Sequence, residues 1–136
     1  MELHACQRQM VDAFSSEKAL SVVIAPRRFG KTVAGAHWCA AARAAGNDII
    51  ALQPNARAAQ MFENLSGVPT YSSCDMPASL EGKTIFVDEA SNLREHVWVE
   101  RLLHAIRRGG NRVVAVNPVL DGLDDIDAVV TRIAAS

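Results

Sequence analysis

Short apolar runs rich in β-branched residues alternate with helical stretches along the chain, and this alternation points to a parallel sheet covered by helices. Residues 19–25, Ala-Leu-Ser-Val-Val-Ile-Ala, form one such run, apolar enough to be buried on both faces. Further strands are predicted at 48–52, 84–87 and 112–116, with a short one at 70–73. The helices between them follow from spacing and punctuation. Leu3, Met10, Val11 and Phe14 recur at helical intervals, and the alanine-rich residues 31–45 stop at Gly46-Asn47. Pro54 opens a helix whose Ala58, Met61, Phe62 and Leu65 share a face before Gly67. Asn92 with Glu95 resembles a capping box for a helix through Arg108, with Leu93, Val97, Leu102, Leu103 and Ile106 as its buried stripe and Gly109-Gly110 as its end. The last segment fits two descriptions. Leu123, Ile126, Val129, Val130 and Ile133 have helical spacing, whereas 129–131 has strand propensity. A parallel crossover needs about a dozen residues or more, usually including a helix. Residues 117–127 fall short of that, so a C-terminal helix is expected.

At 136 residues, 49% hydrophobic and 21% charged, the chain reads as one domain that buries enough surface to stand without disulfides or structural metal. A net charge of −1 excludes a broadly basic nucleic-acid surface, so any DNA contact must be local. Cys6, Cys39 and Cys74 are irregularly spaced and odd in number, which predicts free thiols. There is no apolar run of about 18 residues and no secretory pattern at the start, so a cytoplasmic location without membrane contact is expected.

The strongest motif is Ala25-Pro26-Arg27-Arg28-Phe29-Gly30-Lys31-Thr32, which follows a predicted strand and opens a predicted helix as a phosphate-binding loop must. Backbone N–H groups from Pro26 to Val33 and the helix dipole would converge on phosphate oxygens, although Pro26 itself has no N–H to offer. Gly30 permits the turn, Lys31 reaches the β- and γ-phosphates, and the Thr32 hydroxyl becomes a ligand of Mg²⁺. Arg27 and Arg28 place guanidinium groups where they would brace the γ-phosphate or the loop backbone. Ala25 stands where the usual pattern has its first glycine, and a positive φ there would cost about 1–2 kcal/mol.

The second motif, Thr84-Ile-Phe-Val-Asp88-Glu89, is an apolar strand ending in two carboxylates at the edge where ligands of open α/β sheets sit. Asp88 is expected to hold Mg²⁺ and Glu89 to orient or deprotonate the attacking water. A third strand delivers Asn117, followed by Pro118, to the same edge, where Asn117 would sense the γ-phosphate or the water unless the pair simply starts a turn. The expected fold is therefore α/β, a three-layer P-loop NTPase (RecA/ASCE-like) with a mostly parallel central sheet, binding a nucleoside triphosphate, ATP by analogy, and Mg²⁺.

In this order the residues resemble the ATPase domain of the large terminase subunit, the motor that packages DNA in tailed phages and herpesviruses. The resemblance rests on the arginine-bearing loop Pro26 to Thr32, on Val87-Asp88-Glu89-Ala90, on Gln53-Pro54-Asn55 with Ala59-Gln60-Met61-Phe62, and on Asn117-Pro118 as a coupling motif. It implies an ATPase that drives or regulates viral DNA packaging in the host cytoplasm, acting on double-stranded DNA in a homo-oligomeric ring or larger packaging complex. Gln7 and Gln9 occupy the neighbourhood of the adenine-recognising glutamine of helicase-like ATPases. Terminases continue into an RNase H-like nuclease and carry a further strand past the coupling motif. Neither is expected here, which implies a minimal form or a fragment, served by a separate nuclease subunit. Two other functions remain open: a nucleotide-switched accessory module with little turnover, and a helicase-like remodelling fragment.

Several residues have plainer readings. Arg94, Arg101, Arg107, Arg108 and Arg112 would serve as an arginine finger or touch DNA, but Glu95, Glu100 and the helix C-terminus account for much of the pattern. Trp38 and Trp98 are expected to pack rather than stack on bases, and the pairs His4 with Cys6 and His37 with Cys39 to pack rather than bind zinc. Asp121, Asp124, Asp125 and Asp127 are read as a helix N-terminus and a solvated face.

Overall fold

The structure is a computed structural model that describes residues 4–25, 30–72, 75–77, 80–93, 96–108, 110–118, 123 and 125–133. The elements follow in the order α1 (Ala5–Phe14), β1 (Leu20–Ile24), α2 (Lys31–Ala44), β2 (Ile49–Gln53), α3 (Ala56–Ser66), β3 (Thr70–Ser72), β4 (Thr84–Val87), a 3₁₀ turn (Ala90–Asn92), a π-helical stretch (His96–Leu103) running into α4 (His104–Arg107), β5 (Arg112–Val116) and β6 (Ala128–Arg132). The strands form one sheet in the order β3-β2-β4-β5-β1-β6, and every pairing in it is parallel. All strand C-termini therefore lie along one edge.

The period-two alternation of side chains divides the core into two layers. Val23, Ile49, Ala51, Phe86, Val114 and Val116 face α1, α2 and α3, meeting Met10, Phe14, Trp38 and Phe62. Their neighbours Val22, Ile50, Leu52, Ile85, Val87, Val113 and Ala115 face the π-helical stretch and α4, meeting Val97, Trp98, Leu102, Leu103 and Ile106. Helices thus cover both faces, giving the expected three layers.

Phe86 centres the first layer. Its ring contacts Phe14, Trp38 and Phe62 at centroid distances of 5.3, 6.2 and 5.6 Å. Above it, α2 comes close only because residue 35 is glycine: an added Cβ would lie 2.7 Å from Phe86 Cε2. Alanine inside a helix normally gains about 1 kcal/mol over glycine, whereas overpacking costs about 1–3 kcal/mol. With the ring hemmed in by three other aromatics, the clash wins, and Gly35→Ala should destabilise the fold by about 2 kcal/mol, read as a lower urea midpoint at unchanged slope. A higher midpoint would show that the ring has room to move.

Three expectations need correction. The last segment is a strand, not a helix: β6 lies parallel to β1, with Leu20 opposite Ala128 and Ile24 opposite Arg132. This supplies a strand beyond Asn117-Pro118, where the sequence pattern points to none. Leu123 and Ile126 from the connection pack into the second layer. Arg107 donates to both carboxylate oxygens of Asp125, at 2.8 and 2.9 Å, and holds that carboxyl below the usual carboxylate range. Lys18 pairs with Asp127 at 3.1 Å, and the Asp127 carbonyl accepts from the Leu20 amide at 3.1 Å, so Asp127 leads into a strand and not a helix. The second correction concerns the helix expected from Asn92 to Arg108. The 3₁₀ turn ends at Asn92, Leu93 is extended, and helical structure resumes at His96. Glu95, the partner expected in the capping box, lies outside the described residues, as do Arg94, Cys74, Asp121 and Asp124. Third, α3 is capped by Asn55, whose side chain accepts from the Ala58 amide at 2.9 Å, rather than opened directly by Pro54.

Candidate functional site

At the C-terminal edge of the sheet, β1 leads through Ala25 to the N-terminus of α2, and β4 ends at Asp88 and Glu89. Strand β5 stands between β1 and β4 and ends at Asn117. The chain leaves β1 for β2 on one side of this point and leaves β5 for β6 on the other, which opens the kind of crevice where α/β sheets bind ligands.

Gly30 caps α2 with φ of 68°, a left-handed conformation that suits glycine, and its carbonyl accepts from the Ala34 amide at 2.9 Å. The same carbonyl accepts from Gln7 Nε2 at 3.3 Å, so α1 is fastened against the start of α2. Gln7 is buried and Gln9 is exposed, so of the two glutamines only Gln7 reaches this turn. Pro26, Arg27, Arg28 and Phe29 lie outside the described residues.

Two side chains from the first turn of α2 meet the tip of β4. Lys31 is buried and its Nζ pairs with Glu89 Oε1. Glu89 has a left-handed backbone, φ 49°, which is uncommon for a residue with a Cβ and re-aims its carboxylate out of the strand direction. The Thr32 hydroxyl donates to Asp88 Oδ2 at 2.9 Å, while Val33 is half-buried on the next position of the helix. The sequence placed Lys31, Thr32, Asp88 and Glu89 on two separate segments, and the fold brings them together.

Asp88 is 5% exposed. Burial pushes its carboxyl above the usual range and the charge of Glu89 adds to this, against the lowering effect of bonds from Thr32 and Gln53 and of the Lys31 charge. Its Oδ1 is buried with no hydrogen-bond partner among the described residues. A desolvated carboxylate oxygen with no donor, beside a threonine hydroxyl, suits a small hard cation such as Mg²⁺, which takes oxygen ligands. The residues present therefore fit the metal that the motifs imply. Cys39 is buried in the core, and burial followed by the Asp88 charge pushes its thiol far up, so it is packing rather than a ligand. No group of three or more His, Cys, Asp or Glu side chains suited to a metal occurs among the described residues. Of the two His and Cys pairs, Cys39 is buried and Cys6 half-buried, but His4 and His37 are exposed, so the histidines do not pack as expected.

Asn117 joins the two halves of the site. Its Oδ1 accepts from the Ala25 amide at 2.9 Å and its Nδ2 donates to the Ala25 carbonyl at 3.0 Å. Its own amide donates to the Val23 carbonyl at 2.9 Å, and its carbonyl accepts from the Ser91 amide, just past Glu89, at 3.1 Å. The side chain thereby extends the β1–β5 ladder by one rung. The strain expected at Ala25 is absent for this reason: held like a strand residue, it needs no positive φ, and among the described non-glycine residues only Glu89 and Asn117 have one. Sequence reasoning also overlooked Gln53, whose Nε2 donates to Asp88 Oδ2 at 3.3 Å. A buried amide closing an otherwise apolar strand was the available signal.

The basic residues past β4 are largely engaged within the chain. Arg101 donates to the Pro77 carbonyl, Arg107 pairs with Asp125, and Arg112 donates to the Phe14 carbonyl while lying 5.7 Å from the centre of the Trp38 ring. Trp38 and Trp98 are both buried, as packing residues are.

The sequence matches the AAA domain family over residues 2–117. Among curated proteins none matches it. Of solved structures, a large terminase from a thermophilic bacteriophage superposes with a TM-score of 0.68 at 11% sequence identity, covering 97% of this chain and 46% of that one. This chain thus spans less than half the length of the terminase it resembles in fold. With its family match covering the loop, the acidic strand tip and Asn117, the chain belongs to the AAA domain family and has the fold of a P-loop ATPase.

Proposed function

We propose that this domain binds ATP with Mg²⁺ and hydrolyses it, and that hydrolysis drives or regulates a viral DNA-packaging step. The observation that carries the hydrolytic reading is the meeting of the α2 N-terminus with the tip of β4, through Thr32 on Asp88 and Lys31 on Glu89. Lys31, the first amides of α2 and, on sequence grounds, Arg27, Arg28 and Phe29 hold the phosphates, with Pro26 as the start of the loop. Thr32 and Asp88 would hold Mg²⁺, which when bound neutralises charge on the β- and γ-phosphates. Glu89 orients the attacking water and takes its proton. Before nucleotide arrives, Glu89 is occupied by Lys31; phosphate oxygens then replace it on the ammonium group and leave the carboxylate to the water. Gln7 is the better placed of the two glutamines to read adenine, and Asn117 passes changes at the phosphates from Ala25 to the Glu89 segment.

The packaging role draws on the terminase-like fold and motif order. Double-stranded DNA and further copies of the chain are the partners it implies. No helix among the described residues is long and apolar enough to cross a membrane. Calorimetric titration of Mg-ATP, combined with phosphate release at rising protein concentration with and without double-stranded DNA, tests the proposal. Binding followed by release that DNA or concentration raises is the expected result, since a transition-state arginine supplied by a neighbour makes an isolated copy slow. Binding without release would favour the nucleotide-switched accessory module, and no heat at all would overturn the site.

A further inference from the structure

Four of the five residues of β2, Ile49, Ile50, Ala51 and Leu52, are apolar and buried, and the fifth, Gln53, is buried as deeply at 5% exposure. Nothing in the packing calls for an amide here. The register explains it: Leu52 lies opposite Val87, so the next position along β2 stands beside Asp88. Gln53 Nε2 donates to Asp88 Oδ2 at 3.3 Å and Thr32 Oγ1 donates to the same oxygen at 2.9 Å. Two donors from two different elements thus converge on Oδ2, while the buried Oδ1 receives none among the described residues. A carboxylate held by one oxygen in this way cannot turn about its χ2 torsion without breaking both bonds. Partners that orient a metal-binding carboxylate commonly matter to affinity almost as much as the ligand itself.

We propose that Gln53 is a positioning residue that fixes the Asp88 carboxylate with Oδ1 presented to the cation, and so sets how far Mg²⁺ strengthens nucleotide binding. This rests on the Mg-ATP reading above. Gln53 touches neither the phosphates nor the water; it acts through Asp88.

The test is ADP titration of the whole chain in Mg²⁺ and in EDTA, with thermal melting of each variant. Gln53→Met keeps the length and volume of the side chain and removes the donor. It should melt cooperatively, bind ADP in EDTA as the wild type does, and lose about tenfold of affinity in Mg²⁺ alone. Gln53→Asn, which keeps the amide but withdraws it by one methylene, should show the same selective loss and decides the matter if the methionine variant does not fold. Equal losses in both buffers would make Gln53 a structural residue only, and no loss in either would remove it from the site; both overturn the inference while leaving the functional reading intact. A wild-type chain that binds ADP in neither buffer would overturn that reading and this inference together.

Discussion

Alanine at position 31 is expected to lower Mg-ATP affinity by about 100-fold, the value of one buried charge-assisted bond to phosphate. Lys31 sits on the first turn of α2 with its amine buried against Glu89. Removing it takes away the cation that reaches the phosphates and leaves the Glu89 carboxylate facing them without its partner. Both effects act against an anion, so the loss exceeds what a surface lysine would cost. Calorimetry on Lys31→Ala, with melting as a control for folding, gives the measurement. Affinity within about threefold of wild type would mean that the phosphates bind elsewhere.

Glu89→Gln separates binding from chemistry. A glutamine retains the size and can still orient water, but it takes no proton, and loss of a general base costs about 10²–10⁴ in rate. Affinity for ATP should be kept or raised, because in the ligand-free protein the carboxylate competes with phosphate for the Lys31 amine and a neutral amide competes far less. Phosphate release and nucleotide titration on the same preparation check both halves. Unchanged turnover would take Glu89 out of its role, and weaker binding would contradict the competition between Glu89 and the phosphates.

The sheet was legible where residues carry their own signal. The runs around Val22, Ile50, Phe86 and Val114 are apolar on both faces, and only a doubly covered parallel sheet satisfies such strands. The meeting of Lys31 and Thr32, on the first turn of α2, with Asp88 and Glu89, at the tip of β4, was legible because each motif adjoins a strand end on the same edge of a parallel sheet. Features set by partners distant in sequence were not. Helical spacing and strand propensity agree equally well with residues 126–133, and what selects a strand is the open flank of β1, which no local pattern encodes. The extended backbone at Leu93 falls just after Asn92, where the capping pattern predicts the first turn of a helix. Ala25 looked strained because the amide that relieves it belongs to Asn117. Gln53 was read only as part of the segment after a strand ending at residue 52, because Asp88, its hydrogen-bond partner, lies 35 positions away.

The Asn117 clasp also orders events during synthesis. Ala25 is held by a side chain 92 positions downstream, so the nucleotide pocket is not a local turn that can form as soon as its own residues leave the ribosome. Contacts of such long range form late, after loop closure has been overcome. A nascent chain that has exposed α2 but not yet β5 therefore lacks the fastening that shapes the pocket, and competence to take up nucleotide waits until β5 and Asn117 have followed.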